Sequence, residues 1–146
     1  MKVLVLNGPN LGRLGTRQPE IYGSTTLPEL EEMLRARGKE LGADVECLQS
    51  DEASDLIEAL EKTDADAVIL NPAALTHYSN ELREAVAAFK GPVYEVHISN
   101  IYAREPYRRH SLISPVAKGS IIGLGVNGYL FSVMNCTSGQ DIQRVL

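Results

Sequence analysis

Pro92-Val93-Tyr94-Glu95-Val96-His97-Ile98-Ser99-Asn100 reads as a strand that ends in chemistry. Val93, Tyr94, Val96 and Ile98 are β-formers suited to a buried strand. Glu95 and His97 interrupt them two residues apart, so the period of two turns both toward one face. A carboxylate and an imidazole therefore stand side by side near the strand's carboxyl end. Ser99 and Asn100 follow where the chain leaves the sheet, and Ala103 to His110 is the densest basic run of the sequence. A titratable pair beside a basic loop suits an anionic substrate that needs proton transfer. The structural alternative is a buried histidine satisfied by a neighbouring glutamate.

Outward from this strand the chain alternates. Lys2 to Asn7 is a continuous apolar run, the mark of a strand covered on both faces. Leu27 to Leu41 carries Leu27, Leu30, Met33, Leu34 and Leu41 at helical spacing, opened by a capping box at Thr26 and Glu29 and stopped by Gly42. Strands are expected at Asp44 to Ser50, Ala67 to Asn71 and Ser120 to Leu124. Helices are expected at Ser54 to Lys62, Asn80 to Phe89 and Tyr129 to Asn135. Strands alternating with helices at this spacing predict an α/β fold, a five-stranded parallel sheet in flavodoxin-like order with helices on both faces. The 146 residues read as one catalytic domain.

Composition narrows the function. The formal charge is −5, but residues 27 to 66 hold 13 of the 19 acids and only 4 of the 14 bases, so the motif-bearing remainder is positive. A short acidic chain with few aromatics argues against a nucleic-acid partner, while local capture of a small anion stays open. No stretch approaches the ~20 apolar residues of a membrane span, and the first residues are too short an apolar run for a signal peptide, so a cytoplasmic protein is expected. Cys47 and Cys136 lack paired spacing and His77, His97 and His110 lack close ligand spacing, so no metal site is expected.

In such a sheet, ligands bind beyond the carboxyl ends of the strands. Those ends read Asn7-Gly8-Pro9-Asn10, Asn71-Pro72-Ala73-Ala74-Leu75-Thr76-His77 and His97-Ile98-Ser99-Asn100, each rich in amide, hydroxyl or imidazole groups. The first loop, about residues 8 to 25, is long, has no expected helix, and reads as a lid. It carries Arg13, Arg17 and Tyr22. A tyrosine becomes a useful base when a nearby arginine favours the phenolate, so the lid could bring a base to the site; packing of Tyr22 onto the sheet is the alternative.

Together, Leu6-Asn7-Gly8-Pro9-Asn10-Leu11, Leu14-Gly15-Thr16-Arg17, Tyr22-Gly23, the Asn71 to His77 motif, and Glu95 to Asn100 with Arg104, Glu105 and Arg108 resemble the type II 3-dehydroquinate dehydratases, from Val3 to about Leu130. The resemblance implies a flavodoxin-like subunit, trimers assembled into a dodecamer, no cofactor or metal, and dehydration of 3-dehydroquinate to 3-dehydroshikimate through an enolate in the shikimate pathway. It implies Tyr22 as the base, Arg17 as the cation that activates it, Asn10 as holder of an enolate-stabilising water, and His97 as the acid oriented by Glu95. Asn71 with the backbone of Ile98 and Ser99 would bind the substrate carboxylate, His77 and Arg108 its ring hydroxyls, and Glu84 would reach a neighbouring subunit's pocket. Ala73 stands where the family more often has glycine, Gln18 where glutamate usually follows the lid arginine, and the tail from Met134 to Leu146 has no counterpart in the pattern.

Other functions leave weaker marks. Gly123-Leu124-Gly125-Val126-Asn127-Gly128 matches the dinucleotide fingerprint, but the strand and ribose-binding acid that should follow have no room. A phospho-receiver would need an aspartate where the third strand ends, and the chain has Asn71. A G-x-S-x-G hydrolase elbow is absent.

Overall fold

The computed structural model describes residues 1–145, with side-chain contacts described through Ser138. Leu146, the end of the tail without a family counterpart, lies outside the described residues.

The order of elements is β1 (Lys2–Asn7), α1 (Pro19–Tyr22), α2 (Leu27–Glu40), β2 (Asp44–Gln49), α3 (Ala53–Lys62), β3 (Ala67–Asn71), α4 (Asn80–Ala88), β4 (Val93–His97), β5 (Gly119–Ile122) and α5 (Asn127–Val145). The five strands form one sheet in the order β2-β1-β3-β4-β5, every neighbouring pair parallel. This is the flavodoxin-like order expected from the alternation.

Both faces of the sheet are covered, which is why β1 and β3 read as unbroken apolar runs. Val3, Val5 and Ile69 pack toward Leu30 and Leu34 of α2 and Tyr129 and Val133 of α5. Leu4, Leu6, Val68 and Leu70 pack toward Leu56 and Leu60 of α3 and Leu82 and Val86 of α4. Alternate residues of one strand thus feed two separate cores. Met33 and Leu41, expected on the α2 stripe, stay partly exposed: the buried residues of the helix are Leu27, Leu30, Leu34 and Gly38, and Leu41 lies just past its end as the C-cap. The capping box forms as expected: Glu29 N–H donates to Thr26 Oγ1 while Thr26 N–H donates to Glu29 Oε1.

Two segments depart from the sequence reading. The lid contains a 3-10 turn at Leu11–Arg13 and the four-residue α1, where no helix was expected. Pro19 supplies a helical φ at the first position, and Gln18 enters it at φ 43°, a left-handed conformation that propensity does not foresee. The closing helix starts at Asn127 and runs to Val145, well past Asn135. The Ser and Thr residues of this stretch are accommodated, since Ser132, Thr137 and Ser138 hydroxyls donate to carbonyls of Gly128, Val133 and Met134 within the helix.

The carboxyl ends of β1 and β3 are tightly joined. Gly8 N–H donates to the Asn71 carbonyl at 2.8 Å, and a Cβ at Gly8 would lie 2.7 Å from the Pro72 oxygen, so only glycine allows that approach. The loops leaving β1 and β3 are thereby brought side by side at the point where the strand order reverses.

Candidate active site

At that reversal lies a cleft of about 140 Å³, lined by Asn10, Leu11, Leu14, Arg17 and Tyr22 from the lid, Asn71, Ala73 and His77 at and beyond the end of β3, and His97 to Ser99, Arg104 and Arg108 at and beyond the end of β4. Cavities of roughly 150 Å³ accept a single six-membered ring, so the space suits one small ring compound. The three polar strand ends and the lid converge on it.

One side of the cleft rests on β4. His97 Nε2 lies 2.6 Å from Glu95 Oε2, with Glu95 fully buried and His97 nearly so. The same carboxylate accepts from Thr76 Oγ1 at 2.7 Å, from Ser111 Oγ at 3.0 Å and from Ser114 Oγ. Burial alone would raise the Glu95 pKa, but the hydrogen bonds and charge of His97, with those of Ser114 and Thr76, outweigh it and bring the carboxyl down to about 2. An ionised carboxylate only accepts, so Nε2 of His97 carries the shared proton, and Nδ1 is left for the cleft. The structural alternative for the Glu95–His97 pair therefore describes only half of it, because His97 also lines the cleft.

The opposite side is the lid. Arg104 Nη1 donates to Tyr22 Oη at 2.9 Å and to Ser99 Oγ at 3.2 Å. The Arg104 and Arg17 guanidinium carbons lie 5.5 and 5.7 Å from the Tyr22 ring centroid. A phenolate formed at Tyr22 meets two cations, one of them in direct hydrogen bond. Asn10 sits at φ 69°, held there by its N–H bond to Asp51 Oδ1 at 3.0 Å, with Gln49 bridging the Gly8 carbonyl and Asp51.

Between the two sides lie further polar groups of the lining. Asn71 stands at the end of β3, and His77 Nδ1 donates to the His110 carbonyl at 2.7 Å, which leaves Nε2 as an acceptor in the neutral ring. Arg108 stacks on Tyr107 and pairs with Glu105. Ile98 and Ser99 line the cleft through the turn after β4. Glu84 lies elsewhere, exposed on α4 and paired with Arg83, outside this chain's own cleft. Among the described residues, no cluster of three or more His, Cys, Asp or Glu side chains is placed to hold a metal.

The family model for dehydroquinase class II matches residues 1–137, nearly the whole chain and every residue of this cleft. The chain belongs to the class II dehydroquinases. It is 50% identical over 135 residues to the 3-dehydroquinate dehydratase of Pelotomaculum thermopropionicum, covering 91% of this chain and 94% of that one. It is 55% identical over 132 residues to that of Salinispora arenicola, covering 88% and 92%. Among solved structures it superposes on the type II dehydroquinase from Propionibacterium acnes with a TM-score of 0.88 at 44% identity, covering 94% and 96% of the two chains. On that from Butyrivibrio crossotus the TM-score is 0.91 at 37% identity, covering 94% and 97%.

Within this class II dehydroquinase, sequence reasoning missed the direct partner of Tyr22. Arg104 was legible only as part of a motif, since nothing local ties it to a tyrosine 82 residues away. Ser111 and Ser114 were missed because isolated hydroxyls carry no pattern, and Thr76 was legible only within the motif after β3, not as a partner of Glu95. The dinucleotide-like glycines also find their place: Gly123 and Gly125 N–H donate to the His97 and Ile98 carbonyls at 3.0 Å each. Amides that would cradle a phosphate are spent holding the turn after β4.

Proposed function

We propose that this cleft removes water from 3-dehydroquinate to give 3-dehydroshikimate, with Tyr22 as base and His97 as acid. The observation that carries the reading is that one cleft holds a phenol touched by a guanidinium on one side and a carboxylate-backed imidazole on the other. Tyr22, as phenolate, takes a proton from C2 beside the ketone, and the C–H electron pair moves into an enolate. Arg17 and Arg104 hold the phenolate, and Asn10 holds a water against the enolate oxygen. The enolate then expels the C1 hydroxyl, which takes the proton carried on Nδ1 of an imidazolium His97 and leaves as water, while Nε2–H stays on Glu95 and keeps the ring oriented.

Asn71 and the backbone of Ile98 and Ser99 bind the carboxylate; His77 and Arg108 bind ring hydroxyls. The 146 residues act as one catalytic domain, in the cytoplasm and in the shikimate pathway, without metal or cofactor. The resemblance further implies trimers grouped as a dodecamer, in which Glu84 serves a neighbour's cleft. Its outward placement on α4, and the exposed Tyr102, Leu124 and Phe131, supply surface for such contacts.

Incubation of the purified protein with 3-dehydroquinate tests the reaction. The conjugated enone of the product gives a rising ultraviolet absorbance, and a flat trace removes the assignment.

A further inference from the structure

Among the described residues Tyr129 is the largest fully buried side chain, yet its hydroxyl bonds two asparagines and not the apolar core around it. The directions of those bonds follow from a single backbone group. Ala73 N–H donates to Asn71 at 3.0 Å, and a backbone amide only donates, so the Asn71 atom it meets is oxygen. The Asn71 nitrogen then points at Tyr129, 2.7 Å away, and since that nitrogen only donates, the phenol oxygen accepts. Burial pushes the Tyr129 phenol far above its ordinary range, so it is neutral and has one proton to give. That proton goes to Asn7 Oδ1 at 2.6 Å. Asn7 Nδ2 is left over, the one buried side-chain nitrogen or oxygen without a partner among the described residues. The chain spends an unsatisfied amide on keeping the sequence of donors in one direction.

The consequence appears at the cleft. With its oxygen turned to the Ala73 amide and one N–H given to Tyr129, the Asn71 side chain is held in one orientation, its second N–H is the donor left over, and Asn71 lines the cleft. We propose that Tyr129 is a positioning residue that, together with the Ala73 amide, holds Asn71 as a donor toward the cleft, so that this position reads a carboxylate and disfavours groups that themselves donate. The inference rests on the reading of Asn71 as a carboxylate contact. A carboxamide in the same place would set its NH2 against one of the donors there, and an Asn71 held by the Ala73 amide alone is freer to turn its oxygen toward that group.

The test compares kcat/KM for 3-dehydroquinate and for its carboxamide in the wild type, Tyr129→Phe, Asn71→Leu and the double variant, each checked for folding by circular dichroism. The wild type is expected to prefer the carboxylate. Tyr129→Phe is expected to raise KM for 3-dehydroquinate on the order of tenfold, the scale of one buried hydrogen bond, with kcat little changed and the carboxylate preference reduced by a similar factor. Because Tyr129 acts through Asn71, the double variant should be no worse than Asn71→Leu alone, whereas a general packing defect would multiply the losses. If Tyr129→Phe does not fold, Asn7→Leu removes the acceptor of the phenol proton and should lower the preference in the same way. Wild-type preference surviving in Tyr129→Phe or Asn7→Leu, or multiplied losses in the double variant, overturns the proposal. A wild type that turns over 3-dehydroquinate but is indifferent to the carboxamide removes the reading of Asn71 itself and the proposal with it.

Discussion

Arg104 and Tyr22 meet at 2.9 Å, guanidinium to phenol, and the same guanidinium nitrogen reaches Ser99 Oγ at 3.2 Å. One cation therefore ties the lid to the turn after β4 and stands where a phenolate charge would form. Removing a group aimed at developing charge typically costs about 10² to 10³-fold in kcat. Arg104→Ala is expected to lose activity on that scale, and Arg104→Lys, which keeps charge without the planar fork, to recover part of it. Steady-state kinetics at saturating substrate decide the matter, and a loss below about tenfold would leave Arg17 as the cation that matters.

Glu95 predicts how the fold responds to acid. Its carboxyl sits at about 2 against an ordinary 4.5, so the folded value lies below the unfolded one. A group shifted in that direction stabilises the fold above pH ~4.5, and the contribution is lost as pH falls toward 2. For a fully buried group the shift corresponds to something on the order of 3 kcal/mol. Urea unfolding of the wild type and Glu95→Gln should therefore show a stability gap that narrows between pH 6 and pH 3. A gap that stays constant over that range would mean Glu95 is not ionised in the folded protein.

What the sequence made legible, and what it hid, divides along the range of the interaction. The runs of β1 and β3, the Thr26–Glu29 box and the Glu95–His97 pair are local patterns, and each formed where its spacing placed it. The convergence of Asn10, Asn71 and His97 followed from topology alone, because parallel strands put their carboxyl ends on one edge. Arg104 on Tyr22, Ser111 and Ser114 on Glu95, and Tyr129 between Asn7 and Asn71 depend on residues distant in the chain, and no periodicity encodes them. The helix in the lid and the extension of α5 were hidden for a different reason. Gln18 adopts a left-handed φ, and the hydroxyls of α5 bond back to its own carbonyls, both against local propensity.

Ala73 explains one departure from the family pattern and gives a stability prediction. It sits at φ 52°, where an L-residue with a Cβ is disfavoured and glycine is not. The left-handed conformation costs roughly 1 to 2 kcal/mol for a non-glycine residue, while glycine returns ~0.5 to 1 of that through its freer unfolded chain. Ala73→Gly should thus be stabilising by up to about 1 kcal/mol, a rise of roughly 2 to 4 °C in Tm for a chain of this size. Calorimetry that finds Ala73→Gly less stable than the wild type would show that contacts of the Ala73 methyl outweigh the strain.

The lysines separate two chemistries for the same dehydration. A Schiff base with the substrate ketone needs a lysine amine inside the cleft, deprotonated by a desolvated or cation-crowded setting. The chain has Lys2, Lys39, Lys62, Lys90 and Lys118, and none lines the cleft. Lys2 pairs with Glu46 and Asp64, and Lys62 with Glu58, so both amines are held as ammonium by carboxylates at the surface. Lys39 and Lys90 are exposed beside the ends of α2 and α4. Lys118 donates its N–H to the Val93 carbonyl at the start of β4, the edge of the sheet opposite the cleft. An intermediate held by hydrogen bonds and charge is therefore expected, with no covalent link to the protein. Borohydride added during turnover of 3-dehydroquinate should leave activity intact and add no substrate mass to the intact chain. A reduced adduct on any of the five lysines, found by mass spectrometry together with lost activity, would transfer the chemistry from Tyr22 and Arg104 to that amine.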